Sequence, residues 1–143
     1  MSAQRTLKRP TSCAGIGLHS GRKVTLSLKP AIAGSGIRFR RSDLGGLEVP
    51  AAVNHVGAIN YATGLMRDAV RVDTVEHLLA ALRGLSIDNC YIEIDSREVP
   101  IMDGSAGPFV FLLQSAGIEE QPAPKRFVRI LDRIEVREVV ANA

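Results

Sequence analysis

Glu76 and His77 stand side by side in "DTVEHLLAALRGLSIDN", the stretch from Asp73 to Asn89. A carboxylate that takes a proton from water and an imidazole that holds an ion are the parts metal-assisted hydrolysis needs. Neighbouring residues on a helix project about 100° apart, so these two cannot straddle one ion in the manner of an i, i+4 histidine pair. They can divide the work, His77 as metal ligand and Glu76 as general base. The N-terminus of a helix suits both roles, because its positive end favours a carboxylate and disfavours protonating the imidazole. The plainer alternative is a capping carboxylate beside a surface histidine, and spacing alone does not choose between them.

The segment that carries the pair reads as a helix. Val75, Leu78, Leu79 and Leu82 recur at i, i+3, i+4 and i+7, one continuous apolar face. Asp73 precedes Glu76 by the three residues of a capping box, and Gly84 supplies a stop. A second helix is predicted through Phe109, Leu112, Leu113 and Ala116, with Pro108 in its first turn and Gly117 at its end. Around the helices lie strand patterns. "RKVTLSLK" (Arg22–Lys29) alternates Val24, Leu26 and Leu28 with polar residues, and "GIRFRR" repeats the pattern after Gly34-Ser35-Gly36, which predicts a hairpin of the two. "LEVPAAV" is a weaker strand, placed at an edge by Pro50. "CYIEID" (Cys90–Asp95) alternates cleanly, and "EVPIM" (Glu98–Met102) is a short extended piece before an Asp103-Gly104 turn. Ser105 is a helix cap in this reading, so "PIMDGSAGPF" has local architectural work for each polar residue.

The predicted fold is α+β, a two-layer sandwich of a small mixed or antiparallel sheet with two amphipathic helices. It occupies residues 1–121. Gln121-Pro122-Ala123-Pro124 reads as a linker, and "RFVRILDRIEVREVVANA" as two further strands, so 122–143 is assigned to a linker and the first strands of a second, truncated domain.

Composition narrows the function classes. The 143 residues are 45% hydrophobic, enough for a packed core built from Leu, Ile, Val and Ala, since aromatics are only 4%. No apolar run approaches the ~18 residues of a membrane span, and "MSAQRTLKRP" lacks the apolar core of a secretory signal. Cys13 and Cys90 are expected as reduced, buried thiols, and the compartment as cytoplasmic. The net charge of +3 is uneven: nine Lys/Arg fall in the first fifty residues against Asp43 and Glu48. These cations are either the wet faces of strands or a surface for an anionic partner. Few aromatics are available to stack bases, which argues against nucleic acid.

Four blocks carry a family resemblance: "QRTLKR" (Gln4–Arg9), "GIGLHSG" (Gly15–Gly21), "TVEHLLAALRGLSIDN" (Thr74–Asn89) and "EVPIMDGSAGPFVFLLQSAGI" (Glu98–Ile118). In this order they resemble the N-terminal domain of the bacterial UDP-3-O-acyl-N-acetylglucosamine deacetylases, zinc enzymes of lipid A biosynthesis. The resemblance implies two similar α+β domains facing each other across an active site. It implies that His77 is the one zinc ligand from this half and that Glu76 is the general base for water attacking the acetamide of a UDP-linked acyl-N-acetylglucosamine. Leu18 and His19 match substrate-lining positions, as does the loop holding Asn60, Tyr61, Ala62 and Thr63, where smaller or plainly apolar residues are expected in place of Asn60 and Tyr61. The family's remaining ligands, a His and an Asp of a His-Lys-x-x-Asp motif, and a further assisting His belong to the second domain. No histidine follows His77 in this chain, whose others are His19 and His55. The expectation is therefore half of a zinc hydrolase, inactive alone. The competing reading is a non-catalytic binding module of the same fold that uses its basic N-terminal half.

Overall fold

The computed structural model describes residues 2–57 and 59–138. Its main sheet has five strands: β2 (Thr11–Ile16), β3 (Lys23–Pro30), β4 (Ile37–Arg41), β5 (Leu47–Pro50) and β8 (Cys90–Ile94), in the order β2-β3-β8-β4-β5. Two ribbons complete the strands, β1 (Ala3–Leu7) with β9 (Ile118–Pro124), and β6 (Gly64–Arg67) with β7 (Val70–Asp73). Only β4 and β8 run parallel, so the sheet is mixed. Helices α1 (Glu76–Gly84) and α2 (Gly107–Ala116) pack on one another. Their Leu78, Leu82, Phe109 and Leu113 share one core with Leu26, Leu28, Phe39, Ile92 and Ile94 of the sheet. The other face of the sheet is wet and carries Lys29, Arg38, Arg40 and Glu93, giving the two-layer α+β sandwich the alternation predicts.

The predicted hairpin of β3 and β4 does not form. β8 lies between them, antiparallel to β3 (Leu28 opposite Ile92) and parallel to β4 (Phe39 opposite Ile92). The central place goes to the strand whose Cys90, Ile92 and Ile94 are all fully buried, a preference that local alternation cannot reveal. The edge position of β5 is as expected.

The linker assigned to Gln121–Pro124 is also corrected, because it is the end of β9 and pairs with β1. Both prolines are tolerated in a two-stranded ribbon, whose outer edge needs no N–H donors. The register slips between Ala3 and Gln4, where Pro122 and Ala123 bulge out. Three side-chain amides tie this ribbon to the sheet: buried Asn89 donates to Gln4 and Gln121, each at 2.8 Å, and accepts from the Gly36 N–H at 2.9 Å. The two strands predicted within Phe127–Val140 are absent among the described residues through 138, and 139–143 lie outside them. A strand needs a hydrogen-bonded neighbour, and Phe127, Val128, Ile130, Leu131, Ile134 and Val136 find no sheet to join and remain exposed.

Candidate active site at the start of helix α1

The helix start is built by its neighbours and not by a cap of its own. Val75 occupies the N-cap with no side-chain hydrogen bond. Asp73, predicted as the capping carboxylate, instead holds Arg71 at 3.0 Å and Arg97 at 2.6 Å. Two opposing guanidinium groups outcompete a few backbone N–H groups for an acidic side chain. The turn into the helix is made by Thr74, buried and at φ 59, a left-handed conformation that β-branched residues rarely adopt. Position is fixed from both sides: the Val75 N–H donates to the Thr63 carbonyl at 3.2 Å, and the Thr63 N–H donates to Glu76 Oε2 at 3.1 Å. The helix start and the loop ahead of it are thus tied at Thr63, once through the Val75 backbone and once through the Glu76 carboxylate.

A second segment sets the distance to the "GIGLHSG" loop. The extended chain Arg97–Ile101 bridges the end of β7 and the end of β2, through Asp73 N–H to the Arg97 carbonyl (2.8 Å), Val99 N–H to the Asp73 carbonyl (3.0 Å) and Ile101 N–H to the Ile16 carbonyl (3.0 Å). Beside it opens a cleft of about 440 Å³ whose wall includes His19, Ser20, Asn60, Ala62 and Glu98, with the Arg71–Asp73–Arg97 ion cluster. Of the residues singled out from sequence, His19, Asn60 and Ala62 meet at this cleft, and Leu18, Tyr61 and Thr63 are their chain neighbours. Tyr61 is 97% exposed and held at φ 61. Glu76 and His77 are half-buried and do not line the cleft; Glu76 connects to it through Thr63, next to Ala62.

The Asp103 carboxyl is held below its ordinary 3.8, first by the Ser105 hydroxyl and N–H, with the charge of His77 a smaller contributor. Pro108 sits in the first turn of α2 as predicted, but the N-cap is Ala106 and not Ser105, which instead donates to Asp103 at 2.7 Å and accepts from the Gly107 N–H at 3.1 Å. Glu98 is the site residue that sequence reasoning passed over. It is 3% exposed, and its carboxylate accepts from the N–H groups of His19 (3.0 Å) and Ser20 (2.8 Å) and from the Thr74 hydroxyl (3.0 Å). A buried acid needs such partners, but in sequence it is one glutamate in an extended run.

Among the described residues no three His, Cys, Asp or Glu side chains converge as a metal site. His55 is apart from the pair, its Nδ1 3.3 Å from the Met66 carbonyl. Cys13 and Cys90 are free thiols, and burial pushes Cys90 up to about 12. Much of the basic N-terminal charge is paired: Lys29 with Glu93, Arg38 and Arg40 with Glu48, and Arg41 with Asp43. Arg40 also lies 4.0 Å over the Tyr91 ring. No helix among the described residues is long and apolar enough to cross a membrane.

The family model described as LpxC, UDP-3-O-acyl N-acetylglycosamine deacetylase, matches residues 4–142. The UDP-3-O-acyl-N-acetylglucosamine deacetylase of Pseudomonas entomophila (strain L48) is 58% identical over 139 residues, 96% of this chain and 46% of the relative. The protein of the same name from Marinobacter nauticus (strain ATCC 700491 / DSM 11845 / VT8) shows the same identity and coverage. The chain thus spans about half the length of the curated relatives it matches. With a family match over nearly its whole length, it belongs to the UDP-3-O-acyl N-acetylglycosamine deacetylase family.

Proposed function

We propose that this chain is the N-terminal half of a zinc-dependent amide hydrolase that releases acetate from a UDP-linked 3-O-acyl-N-acetylglucosamine in lipid A biosynthesis. The observation that carries this reading is the Glu76-His77 pair at a helix start held by Thr63 and Thr74, in a chain 58% identical to named deacetylases. A catalytic zinc takes three protein ligands and leaves a position for water. His77 is one candidate ligand, and the described residues offer no second and third beside it. The described residues of this half therefore do not fit a complete zinc site, and in this proposal the second domain supplies the remaining ligands.

Within that frame Glu76 is the base. One of its oxygens is anchored by the Thr63 N–H, and no other hydrogen bond to this carboxylate occurs among the described residues. Its second oxygen can accept the proton of the attacking water and return it to the departing amine. His19, Asn60 and Ala62 line the cleft that we assign to the acylated sugar, and their chain neighbours Leu18, Tyr61 and Thr63 complete the proposed border, with exposed Tyr61 at its rim. The first domain closes with β9, and the chain beyond Pro124 leads into the second. The reading places the enzyme in the cytoplasm, where both cysteines stay as thiols.

The test is complementation. This chain and the C-terminal half of the Pseudomonas entomophila relative are purified separately, mixed with zinc, and assayed for acetate release. Activity of the mixture and of neither half alone is expected. A mixture that forms a complex and loads zinc but releases no acetate would contradict the reading. A non-catalytic binding module would show that outcome.

A further inference from the structure

The Glu98 carboxylate is buried, ionised and shared between two parts of the site. Oε2 accepts from Ser20 N–H, while Oε1 accepts from both His19 N–H and the Thr74 hydroxyl. The loop is shaped around it. A Cβ on Gly17 would stand 2.5 Å from Glu98 Oε2 and collide with the Ser20 hydroxyl, so any larger residue there would have to displace both side chains. On the other side, Thr74 accepts a left-handed backbone directly ahead of Val75, Glu76 and His77. Burial pushes the Glu98 carboxyl up, and the N–H groups of His19 and Ser20 with the hydroxyls of Ser20 and Thr74 outweigh it, leaving it below its ordinary 4.5. The nearby cations do not supply this charge balance, since Arg71 and Arg97 are both engaged by Asp73.

We propose that Glu98 is a positioning residue: its carboxylate latches the Gly17–Gly21 loop, and with it His19, to Thr74 and so to the start of α1, fixing His19 relative to Glu76 and His77. The role at the site rests on the deacetylase reading. The latch itself does not.

Two variants of the full chain test it by amide NMR. Glu98→Gln replaces one accepting oxygen with a donor that faces an N–H, so at least one clasp is lost. A hydrogen bond to a charged group is worth enough that exchange at His19 and Ser20 should rise about tenfold or more, with Leu82 and Ile92 within about threefold. Thr74→Val removes only the hydroxyl, and through the shared carboxylate it should shift the amide signals of His19 and Ser20 as well as those of Glu76 and His77. Unchanged His19 and Ser20 signals in Thr74→Val overturn the latch, whether or not Glu98→Gln folds. In the complemented enzyme Glu98→Gln should lower kcat about tenfold with little change in zinc content; unchanged kcat with a loosened loop overturns the positioning role. A parent complex with no acetate release would sink the deacetylase reading while leaving the NMR result to decide the latch.

Discussion

Thr74→Gly sets two opposing effects against each other at one residue. The left-handed conformation at φ 59 costs an L-residue about 1–2 kcal/mol, which glycine would recover. Against that stand three losses. The hydroxyl bond to the ionised, buried Glu98 at 3.0 Å is worth about 1.5–3 kcal/mol. The buried methyl contributes about 0.8 kcal/mol, and glycine adds about 0.5–1 kcal/mol of unfolded-chain entropy. The losses outweigh the relief, and the variant should be less stable by about 2 kcal/mol. Thr74→Ser keeps the hydroxyl and should cost no more than about 1 kcal/mol. Urea unfolding of the three chains, with m held constant, measures the differences. A glycine variant as stable as the parent, or more so, would show that the hydroxyl–Glu98 bond contributes nothing.

Zinc should bind this chain weakly, and equilibrium dialysis should find no stoichiometric tight ion; tight binding abolished by His19→Ala or His55→Ala would contradict that. A chain ending at Pro124 should be more soluble than the parent, because it sheds exposed Phe127, Val128, Ile130 and Leu131, whereas one ending at Gly117 strips β1 of its partner and should lose more than about 3 kcal/mol in urea unfolding. Equal solubility of the parent and the Pro124 chain would count against a second-domain role for the tail. Acid should erase the benefit of Asp43, whose carboxyl is held below 3.8 chiefly by its hydrogen bond from Arg41. A lowered folded value means stability present above the unfolded value and lost as pH falls through the folded one. The stability gap between parent and Asp43→Asn should thus be full at about pH 6 and vanish toward about pH 2. A gap that persists in acid would show that the ion pair is not its source.

Much of the fold was legible because its signals are local. The 3.6-residue recurrence of Val75, Leu78, Leu79 and Leu82 and the alternation of Val24, Leu26 and Leu28 need no knowledge of partners. Pairing does need it. Nothing in "CYIEID" says that it separates β3 from β4, and Gln4, Asn89 and Gln121 read as surface amides until the structure buries Asn89 among them. Pro122 and Pro124 read as a break because a central strand would reject them, but a ribbon edge does not. At the site the same division holds. Glu76 and His77 stand out by type and adjacency, while Glu98 is identified only by its donors, which lie far away in the chain. Asp73 had the right spacing for a cap and was drawn off by two arginines that spacing cannot place.

In the proposed reaction Glu76 moves the proton and His77 holds the metal. Acetate release and zinc content of the complemented enzyme carrying Glu76→Gln or His77→Ala separate the two roles. Glu76→Gln keeps the side-chain shape, so zinc should stay bound while turnover falls by about 10²–10⁴, the usual contribution of a general base. His77→Ala should lower the zinc content itself. Near-normal turnover with Glu76→Gln would rule out Glu76 as the base, and full zinc loading with His77→Ala would rule out His77 as a ligand.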